Sequence, residues 1–193
     1  MMDDPDAALL ERSKAGDTQA FGELIRKHEA RIYSLILSMT GNPAEAADHF
    51  QEAFLSAWKN LNGFRGNSAF STWLYRIAVN SVLMKRRKKR VPTVSLDMPI
   101  SSEGDDIERD LPGNWSENPL ASLENKELKT RLNAGIAELP EKYKAVLVLS
   151  DVQGLSNDEI KRILGLSLPS VKTRLHRARL HLRQKLSDYF KNL

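Results

Sequence analysis

The sequence predicts an all-α protein in which two small helical domains are joined by a flexible acidic linker. Toward both ends of the chain, apolar residues recur every three or four positions, as amphipathic helices require. The middle of the chain instead mixes prolines, glycines and acidic residues without periodicity. We therefore place the first domain at residues 1–92, the linker at 93–118 and the second domain at 119–193.

Charge separates nearly the same three segments. Residues 1–92 carry 14 basic and 10 acidic side chains, and residues 126–193 carry 14 basic and 7 acidic ones. Residues 93–125 carry 8 acidic side chains and one basic side chain, Arg109. Basic segments attract polyanions because binding releases condensed counterions, so nucleic acid is a candidate partner of both ends. The alternative is that the excess of basic residues only keeps the protein soluble.

Composition restricts the compartment. The 193-residue chain contains no cysteine, which excludes disulfides and thiolate catalysis and fits a reducing cytoplasm. No apolar run approaches the roughly 20 residues that span a bilayer. The N-terminal residues are acidic and lack the hydrophobic core of a signal peptide. We therefore expect a cytoplasmic protein without direct membrane contact.

Local start and stop residues delimit the helices of the first domain. The apolar spacing predicts a helix over 17–40, with Gly41 as its end and Asn42-Pro43 as the start of the next helix, about 43–61. That second helix carries an apolar stripe, assigned to the core, and a largely polar stripe that is either solvated or a docking face. The apolar stripe comprises Phe50, Phe54, Trp58 and Leu61, and the polar stripe comprises Asp48, Gln51, Glu52, Leu55 and Lys59.

A third helix is predicted over about 69–88, with Phe70, Trp73 and Ile77 facing inward. Tyr75 lies off this stripe, so a stacking contact with single-stranded DNA stays open for it. The helix continues into the basic run 85–90, which is either a phosphate-binding surface or a solvated helix end.

The second domain contains a helix-turn-helix pattern. Ser156 and Glu159 have capping-box spacing ahead of a short helix, Gly165 lies in a tight turn, and Ser167 caps a longer helix. Basic residues lie beside the apolar face of that longer helix, which is typical of a DNA recognition helix. The alternative is a basic surface helix that binds nothing. Spacing does not decide which residues contact bases and which contact phosphates.

Two segments together resemble the sigma-70 family of RNA polymerase sigma factors, in its extracytoplasmic-function (ECF) class. The first is QEAFLSAW at 51–58, followed by FRGNSAFSTWLYRIAVN at 64–80. The second comprises LPE at 139–141, GLS at 154–156 and SVKTRLHRAR at 170–179. The resemblance covers almost the whole chain except the linker. His49 departs from the small aliphatic residues that are more common in the family, and we interpret it as a surface residue.

The resemblance implies that the first domain docks on core RNA polymerase and engages the −10 promoter element, while the second domain contacts the −35 element. Phe64 and Asn80 would line a pocket for an unstacked base, which needs an apolar wall and an amide. The implied docking residues are Asp48, Gln51, Glu52 and Leu55. The implied −10 contacts are Phe64, Arg65, Asn67, Tyr75, Arg76 and Asn80, with phosphate contacts at Lys85, Arg86, Arg87 and Lys88. The implied −35 contacts are Ser170, Lys172, Thr173, Arg174, His176, Arg177 and Arg179.

The resemblance also implies the partners. They are core RNA polymerase, promoter DNA and an inhibitory anti-sigma factor, which can be anchored in a membrane. We expect the free chain to be monomeric, with neither enzymatic activity nor a bound cofactor. His176 and His181 are five residues apart, which does not match the spacing of a helical metal site, so no metal is expected.

Two other classes of function remain as alternatives. One is an ordinary helix-turn-helix regulator that binds duplex DNA without polymerase, often as a symmetric dimer. The other is an enzyme that acts on nucleic acid, which would need clustered metal-binding carboxylates beside its basic surface. The acidic residues of this chain are concentrated in the proline-containing linker instead.

Overall fold

The computed structural model describes residues 6–89 and 126–190, and within them the side chains of residues 6–84 and 130–187. These residues form eight α-helices and no β-strand, which confirms the prediction of an all-α fold. The predicted linker at 93–118 lies outside the described residues, so its boundaries stay a prediction.

Four helices form the first domain: α1 (Ala7–Lys14), α2 (Thr18–Thr40), α3 (Pro43–Asn60) and α4 (Phe70–Lys89), with a 3-10 turn at Leu61–Gly63. Side chains cap the first turns of α2 and α3, and the cap of α3 is the one that the sequence predicts. The Asp17 carboxylate accepts hydrogen bonds from two first-turn N–H groups of α2, at 3.0 and 2.9 Å. The Asn42 side chain caps α3 in the same way, at 2.9 and 3.2 Å. Gly41 ends α2 in the left-handed conformation, with φ +70°.

The second domain contains α5 (Lys126–Glu138), α6 (Glu141–Leu147), a π-helical turn at Val148–Val152, α7 (Asn157–Leu164) and α8 (Leu168–Phe190). The predicted capping box is present. The Ser156 hydroxyl accepts from the Glu159 N–H at 3.3 Å, and the Glu159 carboxylate accepts from the Ser156 N–H at 2.9 Å. Gly165 ends α7 with φ +66°, which turns the chain into α8.

The core of the first domain requires a correction to the sequence prediction. His49, interpreted from the sequence as a surface residue, is buried, with 3% of its surface exposed. The fully buried residues of α3 besides His49 are Ala46, Ala53 and Ala57. In the predicted stripe, Phe50, Phe54 and Trp58 are only partly buried, whereas Leu61, just after the helix, is buried. Small side chains let α3 approach its neighbours closely, and the larger aromatic rings then pack at the edges of that contact.

The N-terminal helix α1 is attached to α2 through Asp6, whose side chain is almost fully buried. Its carboxylate accepts a hydrogen bond from the Lys27 ammonium at 2.8 Å and lies 2.6 Å from the His28 ring. Burial alone would raise the pKa of Asp6, but the hydrogen bonds from Lys27 and His28 outweigh it and lower the pKa. A buried carboxylate with two basic partners therefore fixes α1 in place.

The two domains contact each other, and the contact covers part of α4. Helix α4 packs against α7, and α2 packs against the π-helical turn and α5. At the centre, the Tyr75 hydroxyl donates to the Gln153 side chain at 3.3 Å, and the Gln153 amide reaches the Ser34 hydroxyl at 3.5 Å. Tyr75 is 4% exposed, and burial is the main reason that its pKa is raised.

Within the described ranges, no helix combines the length and apolarity needed to cross a membrane.

Candidate nucleic-acid and protein interfaces

One face of α3 points away from the core and forms a candidate protein-docking surface. The predicted docking residues Asp48, Gln51, Glu52 and Leu55 are all exposed on it. Leu55 is 61% exposed, the largest exposure among the large apolar side chains that the structure describes. With Lys59 and the neighbouring polar residues, this face lines an open depression of about 490 Å³. The four predicted docking residues therefore lie together on one exposed face.

The loop before α4 places Phe64 in an aromatic cluster. Its ring lies 5.8 Å from that of Phe70, edge-on, and 5.3 Å from that of Trp73. The Lys14 ammonium of α1 lies 5.8 Å from the centre of the same ring. Phe64 is 7% exposed, so the residue is largely buried in this cluster. Arg65 and Asn67 are exposed in the same loop, where Gly66 adopts φ +71°.

The remaining predicted −10 residues fall into two environments on α4. Arg76 and Asn80 are exposed and lie one turn apart, so both are accessible to DNA. Tyr75 is buried against the second domain and becomes accessible only if the two domains separate. The backbone of α4 continues as a helix to Lys89, but the side chains of Lys85, Arg86, Arg87 and Lys88 lie outside the described residues, so their phosphate role stays a prediction.

The helix-turn-helix fixes which residues of α8 face outward. Val171, Leu175 and Ala178 are buried against the rest of the domain. The exposed −35 candidates are Lys172, Thr173, His176 and Arg177, while Arg174 is half-buried. The half-buried Ser170 hydroxyl lies 2.8 Å from the Ser167 hydroxyl, and its N–H donates to Ser167, so it belongs to the cap of α8.

Arg179 is engaged within the domain. Its guanidinium donates two hydrogen bonds to the Asp151 carboxylate, from Nε at 3.0 Å and from Nη2 at 2.7 Å. The pair joins α8 to the π-helical turn that precedes the helix-turn-helix. Arg179 was predicted to contact the −35 element, and this geometry gives its guanidinium an intramolecular partner.

In the part of the chain that the structure describes, no group of three or more His, Asp or Glu side chains is placed to hold a metal ion.

A contact that the sequence analysis missed joins α6 to α8. The Arg177 guanidinium donates to the Tyr143 hydroxyl at 3.3 Å, and the Lys142 ammonium lies 5.0 Å from the centre of the Tyr143 ring. The Arg177 hydrogen bond is the main reason that the pKa of Tyr143 is lowered. Thirty-four residues separate the two partners, so no local spacing rule connects them.

Comparison with known proteins matches two regions of the chain to family descriptions. The family description "Sigma-70 region 2" matches residues 24–91, and "Sigma-70, region 4" matches residues 130–182. The chain is 39% identical over 182 residues to the ECF RNA polymerase sigma factor SigW of Bacillus subtilis, a match that covers 93% of this chain and 95% of that protein. It is 35% identical over 178 residues to the RNA polymerase sigma-H factor of Pseudomonas aeruginosa, covering 90% of each.

A solved structure shows the same fold. CnrH, described in complex with the cytosolic domain of CnrY, matches with a TM-score of 0.68 and 24% identity over 95% of this chain and 97% of that one. The two matched regions span more than half of the chain and follow each other in the order that the sequence predicts. The chain belongs to the sigma-70 family of RNA polymerase sigma factors, in its extracytoplasmic-function class.

Proposed function

We propose that this ECF sigma factor binds core RNA polymerase through the exposed face of α3 and directs it to promoters through two DNA contacts. The exposed face of α4, with the loop before it, meets the −10 element, and α8 meets the −35 element. The observation that carries this proposal is one chain that combines the exposed face around Leu55 with a capped helix-turn-helix. An ordinary regulator that binds duplex DNA alone would not require the first of these surfaces.

Two DNA contacts in one chain strengthen each other only when the distance between them matches the distance between the two promoter elements. Held by polymerase at the promoter distance, the second contact forms at a high effective concentration, so two weak contacts give one strong complex. Where the two domains contact each other in this structure, Tyr75 of the first domain is hydrogen-bonded to Gln153 of the second. The proposed −10 role of Tyr75 therefore requires the domains to separate on polymerase, and free chain should bind promoter DNA weakly.

We further propose that an anti-sigma factor holds the chain inactive. Two proteins of the same fold are described in complexes: RpoE of Bartonella quintana with the anti-sigma factor NepR, and CnrH with the cytosolic domain of CnrY. The RpoE structure matches with a TM-score of 0.61 and 20% identity over 86% of this chain and 96% of that one. A partner that covers Leu55 would block polymerase by competing for the same exposed face.

Docking is tested by a single charge on the exposed face. Leu55→Asp should reduce binding to core polymerase at least tenfold, because an interfacial apolar anchor contributes about 2 kcal/mol or more. The side chain is 61% exposed, so the free protein should remain folded. The matched control is Leu180→Asp on α8, where the leucine is 45% exposed and lies outside the proposed face. Equal polymerase affinity of the Leu55→Asp variant and the wild type would contradict the docking proposal.

Promoter opening is tested on α4. Asn80→Ala removes an exposed amide and should impair open-complex formation, measured by permanganate reactivity of the −10 thymines, while polymerase binding stays intact. Asn62→Ala, at an exposed asparagine of the 3-10 turn, is the matched control. Phe64→Ala should impair opening as well, with some loss of stability because the ring is packed on Phe70 and Trp73. Normal opening by both the Asn80→Ala and Phe64→Ala variants would remove the proposed pocket.

A further inference from the structure

A basic groove lies between the start of α6 and the start of α8, where four of the predicted −35 residues meet Lys142 and Tyr143 of α6. Its volume is about 280 Å³, and we call it the α6–α8 groove. Its polar lining consists of the cations Lys142, Arg174 and Arg177 and the hydroxyl groups of Tyr143, Ser170 and Thr173. These lining residues, all in the described part of the chain, include no carboxylate. A cavity with this lining suits the phosphates and base edges of DNA.

Within the α6–α8 groove, one hydrogen bond joins the side chains of Tyr143 and Arg177. A guanidinium has five N–H donors in a planar fork, and the Tyr143 hydroxyl accepts only one of them, from Nη1 at 3.3 Å. The remaining donors stay available, and Arg177 is exposed. A fork that is oriented before binding loses less conformational entropy when it forms two parallel hydrogen bonds to a guanine edge. A neutral phenol achieves this without neutralising the charge, as a carboxylate would.

Lys142 carries a compact ammonium group, whereas Arg177 carries a planar guanidinium, so the two side chains suit different contacts on DNA. The Lys142 ammonium is a point charge on a flexible stem, held 5.0 Å from the centre of the Tyr143 ring. Lys142 precedes the helix-turn-helix and extends the basic surface of α8 onto α6. A point charge suits a phosphate, whereas a fixed planar fork suits a base edge.

We propose that Tyr143 is a positioning residue that orients Arg177 to contact one base pair of the −35 element, and that Lys142 contacts a neighbouring phosphate. This inference rests on the proposed function, because it assumes that α8 meets promoter DNA. It divides the basic residues of the groove into one that provides specificity and one that provides only affinity, a division that spacing in the sequence leaves open.

The test uses polymerase holoenzyme and a set of promoters in which each −35 base pair is substituted in turn. Arg177→Ala should abolish discrimination at one base pair, a loss of about tenfold or more. Tyr143→Phe should lower discrimination at that same base pair about threefold, the effect of one hydrogen bond. In an Arg177→Ala background, Tyr143→Phe should change nothing further, a result that a merely structural role of the phenol would not give. Tyr33→Phe, the same chemical change at a half-buried tyrosine of α2, is the control.

Lys142 is tested by salt dependence. Lys142→Ala should weaken all promoters equally, by about eightfold at 0.1 M salt, and reduce the salt slope by about 0.9, with base discrimination unchanged. The control is Lys185→Ala, because the Lys185 ammonium is already paired with Glu138 at 2.7 Å. An unchanged salt slope in the Lys142→Ala variant would contradict its phosphate contact.

Two results would overturn the proposal for Tyr143. One is an Arg177→Ala variant that keeps full discrimination at every −35 base pair. The other is a Tyr143→Phe variant with wild-type discrimination at the base pair that Arg177 contacts. In both cases the wild-type holoenzyme still distinguishes −35 sequences, so the proposed function survives. If the wild-type holoenzyme shows no −35 dependence at all, the proposed function itself fails.

Discussion

Substituting Arg179 would distinguish a role in DNA binding from a role in stabilising the second domain. Arg179 lies on the recognition helix, yet its guanidinium makes two hydrogen bonds to Asp151. The side chains of Arg179 and Asp151 are 36% and 15% exposed. We expect Arg179→Ala to destabilise the second domain, because it leaves a poorly solvated carboxylate without its cation.

The expected magnitude follows from these exposures. Removing one member of a fully buried pair costs about 3–5 kcal/mol, whereas an exposed pair contributes about 0–1 kcal/mol. The Arg179–Asp151 pair lies between these limits and is bidentate, so we expect the free energy of unfolding to fall by about 2 kcal/mol in Arg179→Ala. Asp151→Asn should cost less, because the half-exposed guanidinium that remains can be solvated.

Urea denaturation followed by far-ultraviolet circular dichroism measures this free energy, and the double variant completes a mutant cycle. The cycle should return a coupling of about 1–2 kcal/mol between the two side chains. Arg183→Ala, at an exposed arginine of the same helix, should stay within about 0.5 kcal/mol of the wild type. An Arg179→Ala variant that keeps the wild-type free energy of unfolding and instead loses −35 binding would contradict the structural role of Arg179.

Three further predictions concern stability, each measured as the free energy of unfolding. Asp6→Asn should be less stable than the wild type at neutral pH. Because the folded-state pKa of Asp6 is lowered, this difference should be present above pH 3.8 and be lost as the pH falls through the folded pKa; a difference that grows as the pH falls would contradict this. Ser156→Ala removes the cap of α7 and should cost about 1 kcal/mol; no loss would show that the capping box contributes nothing. Gly22→Ala should stabilise α2 by about 0.5–1 kcal/mol, because open space surrounds the added carbon. Gly135→Ala in α5 should not, because that carbon would lie 2.9 Å from the Leu182 side chain; an equal gain at both positions would contradict the close packing of α5 on α8.

Much of the fold could be predicted from the sequence because the helix ends are determined locally. Asp17, Asn42 and Ser156 each satisfy N–H groups within three residues of themselves, and Gly41 and Gly165 adopt positive φ where the predicted helices end. Such interactions depend on neighbours in the sequence, so spacing alone reveals them.

The burial of His49 was missed because the apolar stripe of α3 was drawn through its largest side chains. The residues that enter the core are Ala46, His49, Ala53 and Ala57, which share helical spacing but include no large apolar side chain. The alanine spacing was a usable indication of close helix packing. That a histidine belongs to the same stripe depends on the shape of the neighbouring helices, which the sequence does not show.

In the candidate site, too, the sequence predicts what local periodicity determines and misses what tertiary packing determines. The exposure of Leu55, Lys172 and His176 follows from helical periodicity, and the structure places all three at the surface. The partners of Tyr75 and Arg179 lie 78 and 28 residues away, so their assignment depends on tertiary packing. For both residues, the sequence predicted a DNA contact that the structure shows in competition with an intramolecular one.

Transcript start sites made by core polymerase with and without the purified chain test the central claim most directly. The proposed function predicts that the chain adds a defined set of new starts, each preceded by −10 and −35 elements at constant spacing, and that Leu55→Asp removes these starts. An unchanged start-site pattern, together with no binding of the chain to core polymerase, would contradict it.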